Sequence, residues 1–285
     1  MTLFHPNGRE LLITRATNWV EVWPINRDSV APTKLRLGPP RRLPLPFVPY
    51  ELALAGDGRT VAITDADDRG EARLLDLSTG KLSDSRFPLR NTDGVALSAD
   101  GQWLAAAGWH SPEARLWNAR TGERVLSLPG ERMRVTFTPD GRELVVAASQ
   151  AFDFYDVNTQ KITRRIERQA NMHVGRVAYS ADGRLMAMEV SPGVIRLCEV
   201  KTGRTIAHLQ EPNGNVSRWM GFTPDGTQLL MTATNERAIH RWDLRALRTE
   251  LKAMGLDWDW PEFPPQSKDA NLLPLEVEVV DGESR

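Results

Sequence analysis

Apolar and polar residues alternate in short runs along most of this chain, and one stretch shows most cleanly what the runs build. Arg134-Val135-Thr136-Phe137-Thr138 alternates with period two, Pro139-Asp140-Gly141 interrupts it, and Glu143 to Ala148 follows as a nearly continuous apolar run. Phe152 to Val157 and Ile162 to Ile166 are two further strand-like runs. Period two sends successive side chains to opposite faces, as a half-buried strand requires, whereas a run that is apolar on both faces suits a strand covered from both sides. Proline fixes φ at the first central turn position and glycine supplies a positive φ, so the segment predicts a β-meander of four antiparallel strands.

The same cadence occurs six times. Turn dipeptides stand at Asn7-Gly8, Asp57-Gly58, Asp100-Gly101, Asp140-Gly141, Asp182-Gly183 and Asp225-Gly226, with the glycines 50, 43, 40, 42 and 43 residues apart. That is the period of four-stranded propeller blades, in which each unit packs only on its neighbours. The expected fold is all-β, a β-propeller of four-stranded antiparallel blades with six recognisable repeats over residues 1–245. The first repeat reads as incomplete, because no strand precedes Thr2; either the array continues upstream or it is closed from elsewhere. Residues 246–265 predict a short helix capped by Gly255 and a lid rich in proline and aromatic residues, favoured over a recognition stretch. Residues 266–285 predict a linker and a candidate closing strand, Pro274 to Val280, read either as the outer strand of the last blade or as part of a following domain.

The third strand of each repeat ends on a large residue at a near-constant distance from the turn glycine. Trp23, Leu75, Trp117, Tyr155, Cys198 and Trp242 follow it by 15, 17, 16, 14, 15 and 16 residues. Because the offset follows the blade, Trp23, Trp117, Tyr155 and Trp242 are expected to be structural, together with the turn glycines Gly58, Gly101, Gly141, Gly183 and Gly226. An acid or amide comes next at Asp76, Asn118, Asp156 and Asp243, and Thr-Gly turns follow at Thr79-Gly80, Thr121-Gly122 and Thr202-Gly203. These features resemble the WD40-repeat family, whose repeats carry a Pro-Asp-Gly turn, a Trp-Asp strand end and a following Thr-Gly turn; the likeness covers residues 2 to 245. The Gly-His dipeptide that opens many family repeats is missing here, so the Asp-His-Ser/Thr-Trp hydrogen-bond tetrad is not expected and apolar packing takes its place. The end of the repeats resembles the propeller segment of large bacterial proteins that place WD repeats behind a Ser/Thr protein kinase module, although no kinase motif is present in this sequence.

Composition narrows the partners. Lys and Arg total 36 against 37 for Asp and Glu, a balance that argues against nucleic acid or a membrane surface. No run approaches the length of a membrane span, and the first residues do not read as a secretory signal. A lone cysteine, Cys198, excludes an internal disulfide and a cysteine-built zinc site; it occupies a strand-end slot, so a buried small hydrophobe is expected in a cytoplasmic protein. The histidines His5, His110, His173, His208 and His240 have no mutual spacing that suits a metal site, and Asp65, Asp67 and Asp68 read as a solvated loop. Neither metal nor cofactor is expected.

The candidate binding residues lie where one blade connects to the next. Arg90, Arg132, Arg134, His173, Arg176 and Arg218, with Trp219 and Met133, are placed by the repeat pattern at one propeller entrance. Guanidinium forks and an aromatic platform suit a carboxylate-bearing partner, while the plainer reading has the arginines paired with Asp93 and Glu131 on a solvated surface. The expected function is that of a non-catalytic scaffold presenting loops to a protein or peptide, possible anionic partners included. A propeller enzyme with a site in the central channel and a structural spacer are the alternatives. The enzyme would need acids or histidines converging from several inner strands, which read instead as Val, Ala, Leu, Phe and Tyr.

Overall fold

The computed structural model describes residues 1–28, 31, 33–66, 70–169, 173–234, 236–263 and 275–281. It divides into two compact units, Met1–Glu131 with Ser267–Arg285, and Arg132–Gln266. Each unit holds three successive antiparallel sheets, and each sheet begins at one of the predicted repeats.

In the first unit, β1 (Thr2–Phe4), β2 (Glu10–Thr14) and β3 (Trp19–Arg27) form a meander, and both β4 (Lys34–Leu37) and β5 (Arg41–Pro44) pair with β3. The second sheet is β6 (Pro49–Leu54), β7 (Thr60–Asp65), β8 (Glu71–Asp76) and β9 (Lys81–Pro88). The third is β10 (Gly94–Leu97), β11 (Trp103–Ala107), β12 (Glu113–Asn118) and β13 (Arg124–Pro129). In the second unit the fourth sheet comprises β14 (Arg134–Phe137), β15 (Glu143–Ala147), β16 (Ala151–Asp156) and β17 (Ile162–Glu167). The fifth comprises β18 (Val177–Tyr179), β19 (Leu185–Ser191), β20 (Val194–Glu199) and β21 (Thr205–Gln210). The sixth has three strands among the described residues, β22 (Ser217–Phe222), β23 (Gln228–Ala233) and β24 (Ile239–Asp243), after which the chain runs directly into α1 (Leu244–Ala253). These are β-propeller blades, as the repeat spacing predicts.

The core lies between consecutive sheets. Leu12, Val20, Val22, Leu52, Val61 and Ile63 bury the face shared by the first two, and Ala62, Phe87, Leu104, Ala106 and Trp117 the face shared by the second and third. Second strands carry this packing because both of their faces are covered: all five residues of β11 are buried, as are Leu144 to Ala147 of β15. Trp117 is 2% exposed and meets Phe87 of the preceding sheet edge-on, with ring centroids 5.9 Å apart. Trp23 is buried and its indole N–H donates to Glu21, whereas Tyr155 and Trp242 are half-buried. Cys198 is buried, as its strand-end position predicts.

Two carboxylate devices explain the repeated polar residues. The six turn glycines have φ between 66° and 69°, a left-handed conformation that costs glycine little. Beside them the hydroxyls of Ser98, Thr138, Ser180 and Thr223 donate to Asp100, Asp140, Asp182 and Asp225 at 2.5–2.7 Å. The same hydroxyls accept the amides of Trp103, Glu143, Leu185 and Gln228, which closes each turn around a polar knot. At the third strand's end the acid or amide accepts amides two and three residues on: Asp76 from Ser78 and Thr79, Asn118 from Arg120 and Thr121, Asp156 from Asn158 and Thr159. In the last sheet Asp243 instead accepts from Ala246 and caps α1, so one device starts a turn in three blades and a helix in another.

The helix ends with Gly255 at φ 74°, its amide donating to Lys252 and that of Leu256 to Leu251. The segment beyond it packs on the second unit. Trp258 and Phe263 join the core of the fifth and sixth sheets. The buried guanidinium of Arg248 bridges both oxygens of Asp257 at 2.9 Å and donates to the carbonyls of Trp260 and Pro261. The closing strand departs from expectation. β25 (Glu276–Val279) pairs in parallel with β4 of the first sheet, Glu276 opposite Lys34, rather than supplying an outer strand to the last one. β24 passes into the helix, whereas β4 presents an edge with unpaired backbone groups for an incoming strand.

Truncating Trp117→Ala removes the indole that fills the seam between the second and third sheets. The expected cost is about 3–5 kcal/mol, read as a lowered thermal midpoint; an unchanged midpoint contradicts the packing described. For Asp57, Asp100, Asp182 and Asp225, burial alone would push the carboxyls up, but the hydroxyl and amide hydrogen bonds outweigh it and hold them below the ordinary value. A depressed folded pKa adds stability above the unfolded pKa of about 4, lost as pH falls through the folded value. Thermal midpoints should therefore hold on the neutral side and drop steeply below about pH 4, and Asp182→Asn should flatten part of that drop.

Candidate functional site

Strand register brings the connections between blades to one edge of the second unit. Ser217 pairs with Ala233 at the start of β22, which sets the β21–β22 connection beside the β23–β24 hairpin. Val194 pairs with Gln210, which sets the same connection beside the β19–β20 hairpin. Gly193, at φ 70°, lets that hairpin close in; a Cβ there would lie 2.7 Å from the Cα of Gly214. Across the other flank, Arg134 begins β14 opposite Ala147, next to the β15–β16 turn.

Buried polar groups lock these connections together. Arg168, just past β17, sends Nη1 to the carbonyls of Ala148 at 3.0 Å and His173 at 2.7 Å, with its guanidinium over the Phe152 ring. Glu189 in β19 is 1% exposed, and its two oxygens accept the Ser217 amide at 2.8 Å and hydroxyl at 2.5 Å. Burial pushes the Glu189 pKa up, and the Ser217 bonds with the charges of Arg168 and Arg176 offset only part of that rise. The fourth, fifth and sixth sheets are thus linked through side chains at the roots of their connections.

The predicted binding residues occupy the rim of this framework. His173 and Arg218 are exposed, Arg132, Arg134 and Arg176 are half-buried, and Trp219 is 49% exposed on β22, its indole lying over Gly221. Arg218 sits at a bulge between Ser217 and Trp219, which turns it away from the regular ladder. Arg176 acts inward as well, because its charge bears on Glu189. Arg90 belongs to the first unit, where it is exposed in the β9–β10 connection beside Pro112, Glu113 and Arg115. Met133 is buried and forms no part of a rim. Asp93 accepts from the amide of Trp109. Asn171, Asp67 and Asp68 lie outside the described residues.

Chemically, the edge offers guanidinium donors and one indole face on backbone held by buried hydrogen bonds, an arrangement suited to carboxylate recognition. The sequence reading missed Arg168 and Glu189. Glu189 left a signal, since it interrupts the otherwise apolar run Leu185-Met186-Ala187-Met188-Glu189-Val190, whereas Arg168 resembles any surface arginine. The reading of the histidines also changes. Their mutual spacing predicts no metal set, but the structure brings His240 to two glutamates, Glu211 and Glu236.

Comparison with known proteins follows the repeats. Residues 148–223 match the family model of the Anaphase-promoting complex subunit 4 WD40 domain. A WD repeat-containing protein of Synechocystis is 37% identical over 98 residues, 33% of this chain and 27% of that protein. Pre-mRNA-processing factor 19 homolog 2 of Arabidopsis thaliana is 24% identical over 217 residues, 74% of this chain and 40% of its own length. The chain thus spans less than half of either relative. A solved structure of Kuenenia stuttgartiensis hydrazine synthase superposes with a TM-score of 0.56 at 19% identity, over 65% of this chain and 55% of that one, a likeness of fold alone.

Replacing Glu189 by Ala strips the Ser217 amide and hydroxyl of their acceptor. Stability should fall by about 1–3 kcal/mol, and exchange of the Ser217 amide with solvent deuterium should accelerate. Unaltered exchange would show that the link does not hold the connection.

Proposed function

We propose that this chain, whose repeats are similar to those of WD40-repeat proteins, is a non-catalytic scaffold whose blade connections bind a protein or peptide partner carrying carboxylates. Arg132, Arg134, His173, Arg176, Arg218 and Trp219 form the binding edge in the second unit, and Arg90 adds a cationic position in the first. The observation that carries this reading is the contrast at β22. Ser217 is clamped from below by Glu189, while its neighbours Arg218 and Trp219 stand in solvent. The backbone that carries them is already held and loses little freedom on binding, so a few side chains suffice for affinity.

Two further observations support it. The matching family model is named for a subunit of a multiprotein complex. Among the described residues no helix is long and apolar enough to cross a membrane, and the near-zero net charge disfavours nucleic acid. Neither cofactor nor metal takes part in this reading, and a cytoplasmic setting belongs to it.

Binding to an array of acidic and neutral peptides tests the proposal. Acidic peptides should be retained, more weakly as salt rises, and the combined change of Arg132→Glu, Arg218→Glu and Trp219→Ala should reduce retention about tenfold or more at an unchanged thermal midpoint. Equal retention of acidic and neutral peptides, or by the altered protein, would eliminate the anionic-partner reading.

A further inference from the structure

The β21–β22 connection and the β23–β24 hairpin enclose three groups that the proposed binding edge leaves unused. Glu211, immediately after β21, is 0% exposed. Its Oε2 accepts the amides of Asn213 at 3.0 Å and Asn215 at 2.6 Å, which fixes the carboxylate in the turn. Its Oε1 is buried and has no hydrogen-bond partner. That oxygen faces Nδ1 of His240 at 3.9 Å, beyond hydrogen-bond range. The other imidazole nitrogen, Nε2, lies 2.6 Å from Oε2 of Glu236, whose Oε1 accepts the side-chain amides of Asn213 at 3.0 Å and Asn215 at 2.6 Å. One ligand atom from each of Glu211, Glu236 and His240 lies within 4.8 Å of the others.

Glu189, equally buried, has both oxygens occupied, and the other orphaned carboxylate oxygen of this unit, Oδ1 of Asp153, faces the Arg165 guanidinium at 3.4 Å, whereas Oε1 of Glu211 faces an imidazole. The amides of Asn213 and Asn215 that hold its other oxygen favour the carboxylate form and work against the cost of burial. In the neutral tautomer whose Nε2 donates to Glu236, Nδ1 is an acceptor and faces a second one, Oε1 of Glu211. Two acceptors facing one another across 3.9 Å call for a cation between them, and two bonds of about 2.0–2.2 Å span that gap. A carboxylate behind the imidazole is the usual partner of a metal-bound histidine, because it fixes the tautomer and makes the ligating nitrogen more basic. Two carboxylates and one neutral imidazole carry the charge that a dication cancels, and the mixed nitrogen and oxygen donors suit a borderline ion.

We propose that Glu211 and His240, with Glu236 oriented behind the imidazole, form a binding site for a divalent transition ion of the zinc type. The ion ties the β21–β22 connection, which leads into β22 with Arg218 and Trp219, to the β23–β24 hairpin. Its role is to stiffen the loop, and the inference stands whether or not the edge binds an acidic partner.

Competition between the full chain and a chromophoric zinc chelator tests it, and buried Cys198 does not interfere. One Zn2+ per chain should bind, and zinc should raise the thermal midpoint. His240→Gln and Glu211→Gln should abolish both effects, and Glu236→Gln, at a half-buried position, should weaken binding about tenfold or more. Because the change at Glu211 can impair folding, nuclear magnetic resonance of the His240 ring in the unaltered protein provides a second measurement: zinc should shift its Nδ1 signal. The proposal is overturned if no saturable site is found or if His240→Gln binds zinc as the unaltered protein does. It is equally overturned if the His240 ring carries protons on both nitrogens beyond pH 8 and ignores zinc, the behaviour of an imidazolium bridging two carboxylates.

Discussion

Within each unit the decisive constraint is that a sheet apolar on both faces must be covered on both. Strands such as β11, with Trp103 to Ala107 entirely buried, cannot belong to a free-standing sheet or to a two-layer sandwich with a wet side. They require a neighbour in front and a neighbour behind, and the next repeat supplies it. Small residues in the middle of the stack, Ala62, Ala72 and Ala106 among them, let sheets approach, and large ones such as Phe87 and Trp117 fill the wider seam. The non-directional apolar term thus sets the stacking, and the aromatic residues set its spacing.

Polar residues do the directional work at the ends of the strands. The serine or threonine two positions before Asp100, Asp140, Asp182 and Asp225 accepts one amide while donating to the carboxylate, so these four hairpins are closed by side chains as well as by backbone. The acid after the large strand-end residue nucleates whatever follows, a turn after Asp76 and a helix after Asp243. In the last sheet that choice has a large consequence. α1 follows β24 directly, with its Arg248 bonded to Asp257 of the segment beyond, and β25 pairs with β4 of the first sheet.

The same logic governs the connections. Loops between blades would be mobile if only solvent met their polar groups. Here Arg168 and Glu189 reach from the sheets into the roots of the loops, and Glu211 organises the turn that leads into β22. Burying these charges is costly, and their hydrogen bonds to the groups of the loops offset part of that cost.

Much of this was legible in the chain. The turn glycines, the strand-end residues and the doubly apolar second strands all obey short-range rules, since dihedral preference and alternation act over a few residues. The parallel docking of β25 was not, because an alternating acidic and apolar strand fits any open edge and only the packed molecule decides which edge is open. Likewise Glu236 and His240 show a four-residue spacing in the sequence, but Glu211 joins them through the pairing of Ser217 with Ala233, a contact between elements that no local pattern specifies. The sequence by itself determined the repeat, the strands and their turns, whose energetics are local. Tertiary structure alone decided which buried charges meet and which connections they hold, because those depend on burial and proximity across sheets.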